Sequence, residues 1–299
     1  MKNVTCVLHH HVGTESAYEA GLNITTSPSA YTAQIDWLSA RYTFISLEQL
    51  LSGELPQKPL LLTFDDAFQS VLDTVRAVLA PRGIPSVFFI NPALVEEGGI
   101  SLDSVLAWAT HTAGFVEVCR ILDLPERTDL GEIVVQDMAA LGSAKRQQII
   151  RILIDKLGRP NLTPRAPLIT AEGVRELKSL GVEIGNHTNT HVHCRSLSAG
   201  ERETEIVEAK ARLEALSGQK VRSLSIPYGH ENDLTPEVLD CARASGHEAI
   251  FLVHSRTNLR RLAPDIWYRT SLHNETPQQL RKEISTKPLL RTLKNMLLG

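Results

Sequence analysis

The 299-residue sequence contains no run of about 18 apolar residues, which excludes a transmembrane helix on length alone. Its start, Met1-Lys2-Asn3-Val4-Thr5-Cys6-Val7-Leu8, lacks the apolar stretch and small-residue cleavage site of a secretory signal, so a cytoplasmic protein is expected. The four cysteines, Cys6, Cys119, Cys194 and Cys241, show no C-x-x-C spacing, which suits reduced and mostly buried thiols better than a disulfide framework. There is no excess of positive charge. With 31 Lys and Arg against 34 Asp and Glu the formal net charge is −3, which leaves no broad basic surface and sets nucleic acid aside as a partner. Internal repeats and low-complexity segments are also missing. What remains, 42% hydrophobic and 22% charged residues, is ordinary for a soluble globular enzyme, and the length suits one α/β barrel with an insertion.

Short apolar runs alternate with helical patterns from end to end, the signature of parallel strands covered by helices. The expected strands are Val4–His10, Leu60–Phe64, Ser86–Ile90, Val182–Asn186, Ser223–Ile226, Ala249–Val253 and a weaker one around Tyr268–Thr270. Unbroken apolar character, as in Leu60-Leu61-Leu62, means that both faces of the sheet are covered. Helix starts are readable as capping boxes at Ser46 with Gln49, Ser198 with Glu201 and Thr276-Pro277 with Gln279, and as proline at the first helical position in Thr235-Pro236. Phe68, Val71, Leu72, Val75, Val78 and Leu79 repeat with helical period after Asp66. Glu201, Arg202, Glu203, Glu205 and Glu208 read as the solvated side of a helix that points Ile206, Leu213 and Leu216 inward. Residues from about 100 to 165 carry helical patterns and no strand, an insertion expected to pack on the barrel or to wall the substrate cleft. The leucines and basic residues from Leu289 to Leu298, within a helical extension over about 276–299, are expected to dock on the barrel, a membrane-surface anchor being the alternative.

Chemistry concentrates at three strand ends, where parallel α/β sheets place their ligand sites. The first strand end is Asp65-Asp66. Adjacent carboxylates repel and resist burial unless a cation neutralises one or a proton is shared. A metal on one and a base role for the other resolves this; the plain alternative is that one of them caps the helix that follows. The second is Gly185-Asn186-His187-Thr188-Asn189-Thr190-His191, whose two imidazoles can converge on one cation and, with a carboxylate, form the His-His-Asp set of a catalytic zinc site. His193 and Cys194, just beyond, read as incidental. The third is Leu224-Ser225-Ile226-Pro227-Tyr228-Gly229, by itself only a turn.

In this order the three pieces resemble the polysaccharide deacetylase family, the NodB-homology or carbohydrate esterase family 4 group. Its pattern T-F-D-D, H-[ST]-x-x-H, P-[YF]-G is matched by Thr63-Phe64-Asp65-Asp66, by His187-Thr188-Asn189-Thr190-His191 and by Pro227-Tyr228-Gly229, and the resemblance spans roughly residues 4 to 270. It implies a single NodB-homology-type domain over 1–299, folded as a distorted (β/α)7 barrel with a zinc-like ion at the strand ends, Co2+ or Ni2+ being substitutes. It assigns Asp66, His187 and His191 as metal ligands, Asp65 as general base and the Tyr228 backbone N–H as oxyanion donor. The activity implied is removal of an N-acyl group, in first place N-acetyl, from an amino sugar or glycan precursor. Alternatives on the same site are a deformylase, a ureide amidohydrolase or a non-catalytic carbohydrate-binding relative.

The sequence departs from the family at three places. Ala67 replaces a common glycine, which matters only if the turn needs a positive φ. Ser225 stands where an arginine often tethers the base, and Arg269 is the expected replacement. No late leucine-histidine motif supplies a general acid. A permuted branch that includes poly-N-acetylglucosamine deacetylases opens with a strand ending in histidine, which Val7-Leu8-His9-His10-His11-Val12 resembles, so His10 is the expected acid with His273 next.

Overall fold

The computed structural model describes residues 3–95, 99–160, 168–259 and 261–298, with side chains as far as residue 292. Seven strands close into a parallel barrel: β1 (Thr5–His9), β2 (Pro59–Phe64), β3 (Ser86–Ile90), β4 (Val182–Asn186), β5 (Ser223–Ser225), β6 (Ala249–Val253) and β7 (Ile266–Ser271). They hydrogen-bond in chain order around the ring, and β7 pairs back onto β1. The expected strands are these seven, with ends moved by a residue or two and the weakest lengthened at both ends. Helices surround the ring, so the architecture is the expected (β/α)7 barrel. Two short strands, His11–Val12 and Thr25–Thr26, pair with each other outside it, and Thr43–Phe44 lies beside the start of β2.

Strand alternation sorts the core into two layers. Cys6, Leu61, Val87, Phe89, Ala249, Phe251 and Trp267 meet in one cluster that fills the barrel. Val7, Leu60, Leu62, Phe64, Phe88, Ile90 and Ile184 face outward, against Tyr31, Ile35 and Leu38 of the helix Pro28–Ser39 and Val71, Leu72 and Val75 of the helical run after Phe68. All six β2 positions are buried, as its unbroken apolar run demands. The capping boxes at Ser46, Ser198 and Thr276 form, and Thr235 caps the Pro236–Ala244 helix.

Between β3 and β4 the chain builds the helices Leu102–Ala113, Phe115–Leu122, the run 130–137 and Ser143–Leu157 around a core of their own, with Val105, Leu106, Val118, Ile133 and Leu153 buried in it. The far end of the expected insertion, 161–165, lies outside the described residues. At the C-terminus, Leu280 and Ile284 are buried against the same core as Ile35 and Leu38, while Leu289 and Leu290 on the helix Lys287–Leu298 are exposed. The side chains of the leucines at 293, 297 and 298 lie outside the described residues. Among the described residues no helix is long and apolar enough to cross a membrane.

Candidate metal centre and active site

The C-terminal ends of the strands stay in register, with His9 beside Phe64, Ile90 beside Asn186, Asn186 beside Leu224 and Ser225 beside Phe251. Residues that follow each strand therefore meet above one end of the barrel. Asp66, His187 and His191 come together there, one ligand atom from each lying within 4.8 Å of the others. The Nε2 atoms of both histidines are 3.3 Å from Asp66 Oδ1. Neither aspartate caps the following helix: the cap position is Phe68, which makes no side-chain capping bond.

The tautomers follow from the partners. His187 Nδ1 lies 2.9 Å from the Ser225 carbonyl, which only accepts, so Nδ1 carries the proton. His191 Nδ1 lies 2.8 Å from the Asp103 carboxylate and is protonated for the same reason. Both Nε2 lone pairs then face a carboxylate oxygen that has no hydrogen-bond partner of its own. Three electron-rich atoms converging in a buried place repel one another unless a cation lies between them, and this donor set suits zinc or a similar divalent ion. The charges of the cluster also act on one another. Burial alone would raise both carboxyls and lower His191. Instead Arg269, then His187, hold Asp65 below its ordinary value; His191, with His187 and His10, holds Asp66 below its own; and Asp66 and Asp103 lift His191.

Asp65 points beside this cluster with its Oδ2 3.7 Å from His187 Nε2. Arg269, fully buried, grips it with two bonds of 2.8 and 2.7 Å, and the same guanidinium donates to Ser225 Oγ at 2.6 Å. Ser225 Oγ adds a third bond to Asp65 at 3.2 Å. Arg269 thus holds the carboxylate as a tether would, reaching it from β7, and the serine that replaces the usual arginine joins the network.

Loops that carry these residues are held in unusual backbone shapes. Asp66, Ala67, Thr188, His191 and Tyr228 all have φ between 59° and 75°. Non-glycine residues seldom sit there, and such positions gather where surrounding structure overrides local preference. The turn at Ala67 does need a positive φ (59°), so the missing glycine matters after all. Gly229 is a different case: its φ is 67° and a Cβ there would sit 2.2 Å from the Val253 backbone nitrogen, so only glycine fits.

His10 follows β1 on the inward face shared with Cys6, and it lines a cavity of about 340 Å³ together with Asp65, Asp66, His187, His191 and His273. Its Nδ1 is buried without a partner, and burial holds its titration below the ordinary imidazole value despite Asp66 and Asp65. His9 points the other way into the outer layer against Tyr31 and Phe64, and burial drives it down to about 3. The cavity wall also takes Leu22 and Ile24, and Val134 and Val135 from the insertion.

Several site residues carry no signal in the sequence. Asp103 and Arg146, both buried and both on insertion helices, reach His191. Asn91 donates to the carbonyls of His187 and Thr188 and so fixes the loop between them. Glu205, expected on a solvated helix face, is buried instead: it accepts from Thr190 N at 2.9 Å and Thr190 Oγ1 at 2.7 Å and braces the His187–His191 loop. His193 is likewise more than incidental, since its ring stacks on Tyr228 at 3.7 Å and bonds to Asp233. The Tyr228 hydroxyl bonds to Asp103, so this side chain has work beyond the backbone donor assigned to its residue.

The sequence profile described as polysaccharide deacetylase matches residues 52–250, about two thirds of the chain. No curated protein matches the chain in sequence. Among solved structures, the chain resembles the deacetylase PplD of Streptococcus pyogenes, determined with acetate, at 15% identity and a TM-score of 0.66 over 95% of this chain and 99% of that one. It resembles IcaB of Ammonifex degensii at 20% identity and a TM-score of 0.59, over 93% and 95% of the two chains. The deacetylase domain of BpsB from Bordetella bronchiseptica gives 15% identity and 0.56 over 91% and 96%. At these identities the likeness shows a shared fold.

Proposed function

The chain belongs to the polysaccharide deacetylase family, and from that premise we propose that it is a divalent-metal-dependent hydrolase that removes the N-acetyl group from an amino sugar of a glycan or glycan precursor. The observation that carries the reading is the convergence of the Asp66, His187 and His191 lone pairs beside an ionised Asp65 clamped by Arg269. Asp66 Oδ1 and the two Nε2 atoms would hold the ion, which when bound acidifies water and polarises an acyl carbonyl.

The chain's own residues supply the rest. Asp65, kept ionised and aimed by its double bond to Arg269, takes the proton from water as the water oxygen adds to the acyl carbon. The Tyr228 N–H, at the turn after β5, donates to the developing oxyanion. His10, at the end of β1 beside the strand that carries Asp65, delivers a proton to the amine nitrogen as the C–N bond breaks, leaving acetate and the free amino sugar. Leu22, Ile24, Val134 and Val135 form an apolar wall that limits water around the reacting atoms.

The test is product release from a panel of N-acetylated amino sugars and their oligomers, with the chain stripped of metal and then reloaded with zinc, cobalt or nickel. Acetate release that disappears on stripping and returns on reloading is the expected result. Release of formate or ammonia from other amides, with none of acetate, would move the activity to a deformylase or ureide hydrolase; turnover indifferent to chelation would remove the metal from the mechanism.

A further inference from the structure

The insertion does more than wall the cavity. Asp103 is the second residue of the helix Leu102–Ala113, which Ser101 caps, and its carboxylate turns inward, nearly buried at 6% exposure. Its shortest contact is His191 Nδ1 at 2.8 Å. The Tyr228 hydroxyl donates to both of its oxygens at 3.0 and 2.9 Å. Arg146, from Ser143–Leu157, is farther from it at 3.5 Å but donates to the Tyr228 oxygen at 2.9 Å and to the His191 carbonyl at 3.0 Å. A carboxylate kept only to join two helices of the insertion would make its best bond to that arginine. Here its best bond goes across to the barrel, onto one imidazole.

From this geometry we infer that Asp103 is a positioning residue for the metal ligand His191, so that the insertion forms part of the metal centre. The inference rests on the metal reading of the Asp66, His187 and His191 cluster. The two histidines are held differently. His187 donates to a backbone carbonyl, which comes with the barrel itself, whereas His191 sits on a left-handed residue at the far end of its loop and takes its orientation from a side chain of another layer. An ionised acceptor on Nδ1 fixes the tautomer, holds the ring and makes Nε2 a better donor to a cation, and losing such a partner typically weakens metal binding by 10- to 100-fold. Arg146 and the Tyr228 hydroxyl keep the carboxylate facing the ring. Bound metal should in turn hold the insertion down, since both share His191.

Zinc affinity of the full chain, measured by competition with a chromophoric chelator, tests this directly. Asp103→Ala should bind zinc roughly 10- to 100-fold more weakly than wild type. The isosteric Asp103→Asn, which still accepts from Tyr228, should fall between them, and Tyr228→Phe should lose less. Asp137→Asn breaks a different ion pair of the insertion, with Arg127 at 3.0 Å, and should leave zinc affinity unchanged. Hydrogen exchange should slow in Leu102–Ala113 and Ser143–Leu157 when zinc is added to wild type, and much less so in Asp103→Ala. Wild-type affinity in both Asp103 variants overturns the inference, as does an equal loss in Asp137→Asn, which would mean general loosening. A wild-type chain that binds no zinc refutes the metal reading as well, an outcome distinct from either.

Discussion

Arg269→Met isolates the clamp on Asp65. The methionine keeps the apolar stem, reaching about as far as the arginine Nε, and removes the guanidinium that now faces Phe89 and Phe251 at 5.1 and 5.8 Å. What is lost is the charge and two short bonds to a carboxylate that is 2% exposed. Removing one partner of a buried ion pair strands the other, at about 3 to 5 kcal/mol. For a chain of this size that corresponds to a fall in Tm of roughly 5 to 8 °C. The sign of the pH dependence follows from the two states of Asp65. In wild type its folded value is depressed, so it contributes stability above the unfolded value near about 3.9 and loses it as pH falls through the folded value. Without Arg269, burial dominates and lifts the folded value, so the variant loses stability as pH rises past the unfolded one. The gap between the two proteins should therefore be largest at neutral pH and shrink as pH falls below the unfolded value and through the folded one. Urea unfolding of metal-free protein across this range measures it, and Asp65→Asn placed in the variant should recover much of the loss. A gap that is flat with pH, or a variant as stable as wild type at neutral pH, would refute the clamp.

Asp65→Asn should retain metal and lose turnover by at least the 10²- to 10⁴-fold typical of a missing general base, whereas Asp66→Asn should lose metal; elemental analysis beside acetate release separates them, and the reverse pattern would exchange their roles. His10→Gln should keep metal and fold, cut turnover by about 10²-fold and remove the alkaline limb of the pH–rate profile. Because burial holds His10 low and its protonated form is the active one, that limb should lie below about 6.5 in wild type. An unchanged profile would point to His273 instead. Gly229→Ala forces its new carbon against the Val253 backbone and should destabilise the chain by more than about 2 kcal/mol in thermal unfolding, with a wild-type Tm as the contrary result.

The convergence of Asp66, His187 and His191 was legible because each lies in a short motif at the end of an apolar strand, where strand geometry alone predicts that they meet. His10 was named from a resemblance of the first strand, and its inward direction agrees with the alternation that puts it on the side of Cys6. Asp103 and Arg146 were not legible, because an acidic residue in the first turn of a helix and an arginine among polar neighbours look like ordinary solvated positions. Glu205 misled for a related reason: it precedes Ile206 on the border of the buried stripe, where periodicity cannot tell a rim residue from one turned inward. The hydroxyl of Tyr228 was overlooked because its bonding depends on where a separate helical layer settles.

Closure of the ring has a consequence for how the chain is made. Val7 pairs with Leu62 on one side and with Thr270 on the other, so β1 cannot be completed until β7 has been synthesised. That last pairing joins segments near opposite ends of the chain, and contacts of such separation form late. Until then β1 and β6 each present an unpaired edge, the kind that recruits strands from other molecules. A chain released before Ile266–Ser271 would carry Asp66, His187 and His191 and still lack the arginine that steadies Asp65, and its exposed edges make aggregation its expected fate.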